Sequence, residues 1–451
     1  MPAACCSTTR GSWFSADGEY GSGLSSAICP PGTPGYCEVA PHIIFNVGES
    51  IPIAPGTALT IGIQNLLNDR YYVTLLNAQG NHYAPPRTFA LGIQAGLNPE
   101  GAALSRVGVM HDLTRGRIVV TGGAGLIGSA VIWALNRRGL DDILVVDRLD
   151  RSEKWKHLVP LRFADYIDAD EFERQRADGK SFGTVRSIFH LGACSSTTEC
   201  DADYLLRNNY EYTKALAQWS VAQQARFVYA SSAATYGGLE AELSDEADLH
   251  SLRPLNGYAY SKHLFDLYAE RTGLDRRTCG LKYFNVFGPN EDHKAEMRSI
   301  VHKAYEQIRE TGSVRLFRSY RPEYRDGEQQ RDFIYVKDAV DMTLHLAESG
   351  ATGIFNVGSG TPHTWLELVR PIFHGLELPE RIEFIEMPHQ LRGKYQYYTC
   401  ARMRRLYATG YDRPVTPLAD AVTDYVTNYL IPARPLELDD APVAPPLKAM
   451  S

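Results

Sequence analysis

From Arg117 onward, short apolar runs alternate with longer segments of helical spacing. Arg117-Ile-Val-Val-Thr121 is one such run. Gly122-Gly-Ala-Gly-Leu-Ile-Gly128 comes next, and Ser129–Arg138 then spaces its apolar residues as a helix does. Ile143-Leu-Val-Val-Asp147 is the next run, and Ser187–Ala193, Arg226–Ser232 and Cys279–Asn285 repeat the pattern. Uninterrupted runs this short read as strands covered on both faces, as in a parallel sheet whose crossovers are helices. The predicted class is α/β, a doubly wound parallel sheet with a smaller C-terminal α/β lobe. Asp332–Asp338 and Gly353–Gly358 read as elements of that lobe. Residues 432–451 are rich in Pro and Ala and read as a flexible tail.

The pattern before residue 110 is different. Leu59–Gln64 and Thr88–Gln94 alternate apolar and polar residues, which predicts strands with one covered face. Residues 1–109 hold ten charged side chains and no lysine, whereas the other 342 residues hold 89 of the 99 charges. Such a shift marks a junction between unrelated pieces. Asn65-Leu-Leu-Asn-Asp-Arg-Tyr-Tyr72, with Tyr83-Ala-Pro-Pro-Arg-Thr-Phe89 after it, resembles the C-terminal strands of TonB-dependent outer-membrane receptors over about residues 40–97. A few strands cannot close a barrel, and an open membrane sheet leaves its edge unsatisfied. The segment is therefore expected to be an appendage without function of its own. The resulting division is 1–109 appended, 110–290 nucleotide-binding, 291–431 a substrate lobe interleaved with it, and 432–451 tail.

Composition narrows the class. The chain has 451 residues, 44% hydrophobic and 22% charged, with a formal net charge of −7. No basic run marks a nucleic-acid partner. No 18-residue apolar stretch predicts a membrane helix. The start lacks a basic and apolar export signal, so a cytoplasmic location is expected. Cys29 and Cys37 bracket a Pro/Gly loop, but the eight cysteines show no zinc spacing. Free thiols and no metal are expected.

The chemistry lies in two motifs. Gly122, Gly125 and Gly128 sit between a strand and a helix, where they permit a tight turn, close approach of backbone to a pyrophosphate, and helix–strand packing. Asp147 comes nineteen residues after Gly128, at the end of the next strand, where an acid reads ribose hydroxyls. Arg148 and Lys154 are two cations suited to a ribose 2′-phosphate, so the expected cofactor is NADP, with NAD as the alternative. Tyr258 and Lys262 are four residues apart on one helical face, and Ser232 ends an earlier strand. A neighbouring ammonium lowers a phenol's pKa, which makes Tyr258 a usable acid and base. Tyr260 is the competing tyrosine, on a different face.

Ser, Tyr and Lys in this order form the constellation of short-chain dehydrogenase/reductases. Gly192-Ala-Cys-Ser-Ser-Thr-Thr-Glu199, Tyr229-Ala-Ser-Ser-Ala-Ala-Thr-Tyr-Gly-Gly238, Tyr283-Phe-Asn-Val-Phe-Gly-Pro289, His293-Lys294 and Gly393-Lys-Tyr-Gln396 narrow the likeness. Residues 117–430 resemble the ADP-L-glycero-D-manno-heptose 6-epimerases, an extended branch of that superfamily. The resemblance implies that Tyr258 and Lys294 are the two acid/base residues. It implies cofactor contacts at Leu126, Ile127, Asp147, Arg148, Lys154, Leu191, Gly192, Ala193, Cys194, Ser195, Asn208, Lys262 and Val286. It implies substrate contacts at Asn285, Phe317, Arg318, Ser319, Tyr320, Arg331 and Tyr395. It also implies a nucleotide-sugar substrate, ADP-heptose, and a homo-oligomer, specifically a homopentamer. Three positions depart from the family: Arg148 stands where asparagine is common, Ala169 where some members have lysine, and Glu296 where serine can meet substrate. Another nucleotide-sugar epimerase or a dehydratase is the alternative. Dehydratases usually carry an Asp-Glu pair after the active-site Ser or Thr, and Ser232-Ala-Ala-Thr235 has none.

Overall fold

The computed structural model describes residues 110–392 and 395–440, together with five strand segments before residue 105. The chain divides into two compact units, Met1–Leu104 and Ser105–Ser451. In the first unit, Ala4–Ser7, Trp13–Gly21, His42–Ala54, Thr57–Gln64 and Thr88–Ala95 form an antiparallel sheet in sequence order. The two strands expected from alternation pair directly, with Leu59 opposite Ile93 and Ile61 opposite Leu91. Cys29, Cys37 and the Asn65–Tyr72 turn lie outside the described residues.

The second unit is built on seven parallel strands. Their order is Gly353–Val357, Thr278–Tyr283, Arg226–Ser232, Val185–His190, Arg117–Thr121, Ile143–Asp147 and Asp165–Asp168. Alternate residues of the central strands feed different cores. Ile118, Val120, Ile143 and Val145 join the cluster that includes the helices Leu126–Arg137 and Val336–Glu348. Val119, Leu144 and Val146 join the one with Phe172, Leu216, Phe227 and Phe265. Coverage on both faces is why these strands read as continuous apolar runs.

Two expectations need correction. Gly353–Val357 is no lobe element; it pairs in parallel with Thr278–Tyr283 and forms one edge of the main sheet. Its burial next to a covered strand explains its apolar run. The tail does not fray from residue 432, because Leu436 is fully buried. Its N–H donates to Asn290 Oδ1 at 3.1 Å, and Trp133 Nε1 donates to the Glu437 carbonyl at 2.8 Å. Composition alone concealed these anchors. Residues beyond 440 lie outside the described set.

The lobe is assembled from short pairings. Asn285–Phe287 runs parallel to Gln330–Tyr335, which pairs antiparallel with Pro362–Thr364. Val314–Phe317 pairs with Ile382–Ile385. The helices Ile300–Thr311, Trp365–Gly375 and Leu418–Tyr425 pack beside them. No described helix is long and apolar enough to cross a membrane.

Candidate active site

The strand order reverses direction between Arg117–Thr121 and Val185–His190, and ligands of such sheets bind beyond the carboxyl ends at that point. A cavity of about 440 Å³ opens there. Residues at and just beyond the carboxyl ends of the strands make its wall: Gly122, Gly125–Gly128, Asp147, Leu191–Ala193, Ser232 and Tyr283–Val286.

The glycine loop fits a dinucleotide pyrophosphate. Gly122 has φ +67°, and a β-carbon there would sit 2.6 Å from Gly192 backbone. A β-carbon on Gly128 would lie 2.0 Å from the Gly122 carbonyl oxygen. Gly125 caps the helix Leu126–Arg137 without a side chain, so its first-turn N–H groups are left for an anion. Asp147 is buried and heavily engaged. Its Oδ2 accepts from Ala124 N at 2.8 Å, and its Oδ1 accepts from Arg148 N at 2.7 Å and Lys154 Nζ at 2.8 Å. Leu126, Ile127, Lys154, Leu191, Gly192, Ala193, Ser195 and Val286 line the cavity with it.

Arg148, Cys194 and Asn208 do not. The Arg148 guanidinium turns to Asp170 Oδ1 at 2.5 and 3.2 Å and to Asn208 Oδ1 at 2.8 Å. Of the two cations expected to meet a 2′-phosphate, Arg148 is thus paired with a surface carboxylate and Lys154 with Asp147. Cys194 is held by its backbone, its N–H donating to Asn209 Oδ1 and its carbonyl accepting from Asn209 Nδ2, each at 2.9 Å.

The helix Gly257–Thr272 carries Tyr258 and Lys262. Asn256 caps it by accepting from Ala259 N at 2.8 Å, and Gly273 ends it at φ +72°. Tyr258 and Lys262 both line the cavity, while Tyr260 is half exposed. Burial pushes the Tyr258 phenol above its ordinary value, and its hydrogen bond with Ser232 offsets part of the rise. Burial pulls the Lys262 ammonium down to about 8, and its Nζ donates to the Ala230 carbonyl at 2.9 Å. The expected lowering of the phenol by the Lys262 ammonium is therefore not seen: burial outweighs it, and the phenol sits above its ordinary value.

Lys294 reaches the same cavity from the turn Asp292–Met297, 36 residues after Tyr258. Burial lowers its ammonium pKa, and the Glu291 charge opposes that. Asn285 and Arg331 also line the cavity. Arg331 is buried, donates to the Gln330 and Gln396 carbonyls, and lies 5.2 Å from the Tyr395 ring. Tyr395 Oη accepts from Trp365 Nε1 at 2.8 Å.

The Phe317–Tyr320 segment lies outside the lining. Phe317 meets the Tyr395 ring at 6.4 Å, Arg318 and the Tyr320 hydroxyl reach Glu386, and Ser319 N donates to Asp326. His293, Thr197, Gln396 and Thr399 line the cavity although the sequence reading assigns them no contact there. Gln396 belongs to the Gly393–Gln396 motif; Thr399 has no local signal, since a distant partner holds it there, its N–H donating to the Gln330 carbonyl.

The residues 118–358 match the model of the NAD dependent epimerase/dehydratase family. An ADP-L-glycero-D-manno-heptose-6-epimerase from Nitratidesulfovibrio vulgaris is 50% identical over 319 residues, covering 70% of this chain and 99% of the relative. The chain belongs to the ADP-L-glycero-D-manno-heptose-6-epimerases. A Fusobacterium nucleatum epimerase of that name is 43% identical over 324 residues, covering 69% and 98%. Among solved structures, the Helicobacter pylori epimerase of the same name matches with TM-score 0.59 and 25% identity, over 69% of this chain and 95% of that one. A UDP-N-acetylglucosamine 4-epimerase from Methanobrevibacter ruminantium shares the fold, with TM-score 0.60 at 24% identity, covering 70% and 98%.

Membership accounts for the sheet, the glycine loop and the Ser–Tyr–Lys set. It also brings a nicotinamide cofactor. Several nucleotide-sugar epimerases share the fold, and Lys294, Asn285 and Arg331 line the same cavity as the glycine loop.

Proposed function

We infer that this epimerase interconverts ADP-D-glycero-D-manno-heptose and ADP-L-glycero-D-manno-heptose at C6, for the heptose of the lipopolysaccharide core, by transient oxidation with bound NADP. The observation that carries the reading is two separate proton-transfer groups, Tyr258 and Lys294, on the wall of one cavity. Inversion of a secondary alcohol needs hydride removal, a flat ketone, and hydride return to the opposite face. A bound nicotinamide supplies the hydride acceptor and donor.

The chain's residues supply the rest. Ser232, bonded to Tyr258, orients the phenol toward the reacting oxygen. Tyr258 Oη takes the C6 hydroxyl proton in one substrate orientation, with the Lys262 charge beside it. Lys294 Nζ serves the opposite orientation, and its lowered pKa makes a neutral amine more accessible. Arg331, buried and stacked near Tyr395, offers a cation to the substrate's phosphates. Arg148 and Lys154 are assigned to the 2′-phosphate of NADP. The active form is taken to be a cytoplasmic homo-oligomer, pentameric by the resemblance.

Tyr258→Phe and Lys294→Met should each lower epimerisation by about 10²–10⁴-fold while cofactor stays bound. An aldehyde surrogate, carrying its carbonyl at the reacting carbon, should still be dismutated by whichever variant keeps the base its orientation needs. Wild-type epimerisation by Lys294→Met, with Tyr258→Phe dead, would refute the two-base assignment.

A further inference from the structure

His157 is buried in the turn Glu153–Leu158, and no motif in the chain calls for it. Its Nδ1 lies 2.7 Å from the Ala124 carbonyl oxygen, in the glycine loop. Its Nε2 lies 2.7 Å from Asp292 Oδ1. A carbonyl oxygen only accepts, and so does an ionised carboxylate. A neutral imidazole has a single N–H and cannot satisfy both, so either His157 is doubly protonated or Asp292 carries a proton. Burial raises the Asp292 pKa, but the hydrogen bond and charge of His157 outweigh it and hold the carboxyl below its ordinary range.

The His157 ring holds the turn that carries Lys294. Ala295, directly after Lys294, has φ +46° and ψ −120°, a conformation that residues with a β-carbon rarely adopt. Such a turn must be held by its surroundings. On its far side, Glu291 accepts from Ser299 N and Oγ, each at 2.6 Å. On the cofactor side stands the Asp292–His157 bond. The chain of bonds continues, because Ala124 N donates to Asp147. One hydrogen-bonded path thus joins the ribose-reading acid, the glycine loop and the turn carrying Lys294. The neighbouring ionisable groups are Lys154, paired with Asp147, together with His293 and Lys294. His293, its ring 5.2 Å away, is pulled down to about 4, chiefly by burial.

We propose that His157, clamped between the Ala124 carbonyl and the Asp292 carboxyl group, is a positioning residue that sets Lys294 against the bound cofactor. The proposal rests on the reading of Lys294 as the second acid/base. It predicts that loss of the clamp acts on catalysis only through Lys294.

The test uses the full chain with its bound cofactor. Nitrogen-15 NMR of histidine-labelled protein should show both His157 ring nitrogens hydrogen-bonded, and Asp292→Asn should shift the Nε2 signal. His157→Asn should lower kcat about 10- to 100-fold, as expected for a displaced catalytic group, with little change in substrate KM. In a Lys294→Met background the same substitution should change the residual rate by less than about twofold, while in Tyr258→Phe it should keep its full effect. Asp292→Asn, at a half-exposed position, should reproduce the pattern if His157→Asn folds poorly. A His157 ring without hydrogen bonds in the unmodified protein, or equal fold-losses in all three backgrounds, would overturn the proposal. Wild-type activity in Lys294→Met would instead strike the reading of Lys294 itself.

Discussion

The cofactor preference can be worked from the ion pairs around Asp147. Arg148 is bound to Asp170, an exposed partner whose side chain is 74% accessible. An exposed pair of this kind contributes about 0–1 kcal/mol. Hydrogen bonds to a charged phosphate contribute about 1.5–3 kcal/mol each. Exchanging Asp170 for a ribose 2′-phosphate therefore gains about 2 kcal/mol, which corresponds to about 30-fold in Kd. Arg148→Ala should weaken NADP by about that factor and change NAD by less than about threefold. Loss of the Arg148 bond to buried Asn208 falls on both cofactors alike. Asp170→Ala should do the reverse, freeing the guanidinium and tightening NADP a few-fold. The assay is titration of cofactor-stripped protein with each dinucleotide, together with identification of the nucleotide released from the native enzyme. Equal losses for NADP and NAD in Arg148→Ala, or weaker NADP binding in Asp170→Ala, would refute the argument.

Lys262 titrates at about 8 in the folded chain against an ordinary value of 10.5, so between those values the unfolded chain binds more protons and stability rises with pH. The Tm difference between wild type and Lys262→Met should therefore shift in favour of wild type across that window, and a shift the other way would contradict the burial of the ammonium. Leu436→Ala should cost about 2–5 kcal/mol in denaturant unfolding, as for a core leucine, whereas a free tail would give no change. Deleting residues 1–109 should leave epimerisation and the thermal transition of the enzyme unit nearly intact; loss of soluble active protein would show that the appended segment supports it.

The doubly wound sheet is legible in the sequence because its strands are apolar on both faces and its glycines have fixed spacing. Tyr258 and Lys262 are legible from their four-residue interval, and the exposure of Tyr260 agrees with its exclusion. Gly353–Val357 is legible as a strand but not as a sheet edge, since a local run does not name its pairing partner. Composition misleads at residues 432–440, because Pro and Ala say nothing of one buried leucine and a few backbone bonds to distant groups. Lys294 is legible only through the family resemblance. The His157–Asp292 pair is hidden because its members lie 135 residues apart and neither belongs to a motif. Arg148 is legible as a cation near the ribose acid, but its pairing with Asp170 depends on the helix Ala169–Ala177, which its local sequence does not reveal.

The central claim is that C6 is inverted by hydride leaving and returning within one active site. Substrate deuterated at C6 should be presented to the purified enzyme in ordinary water, without added cofactor, and the ADP-heptose epimers followed by NMR. The account predicts that both epimers appear with the deuterium still at C6. Washout of the label into solvent, or turnover that requires stoichiometric added dinucleotide, would contradict it.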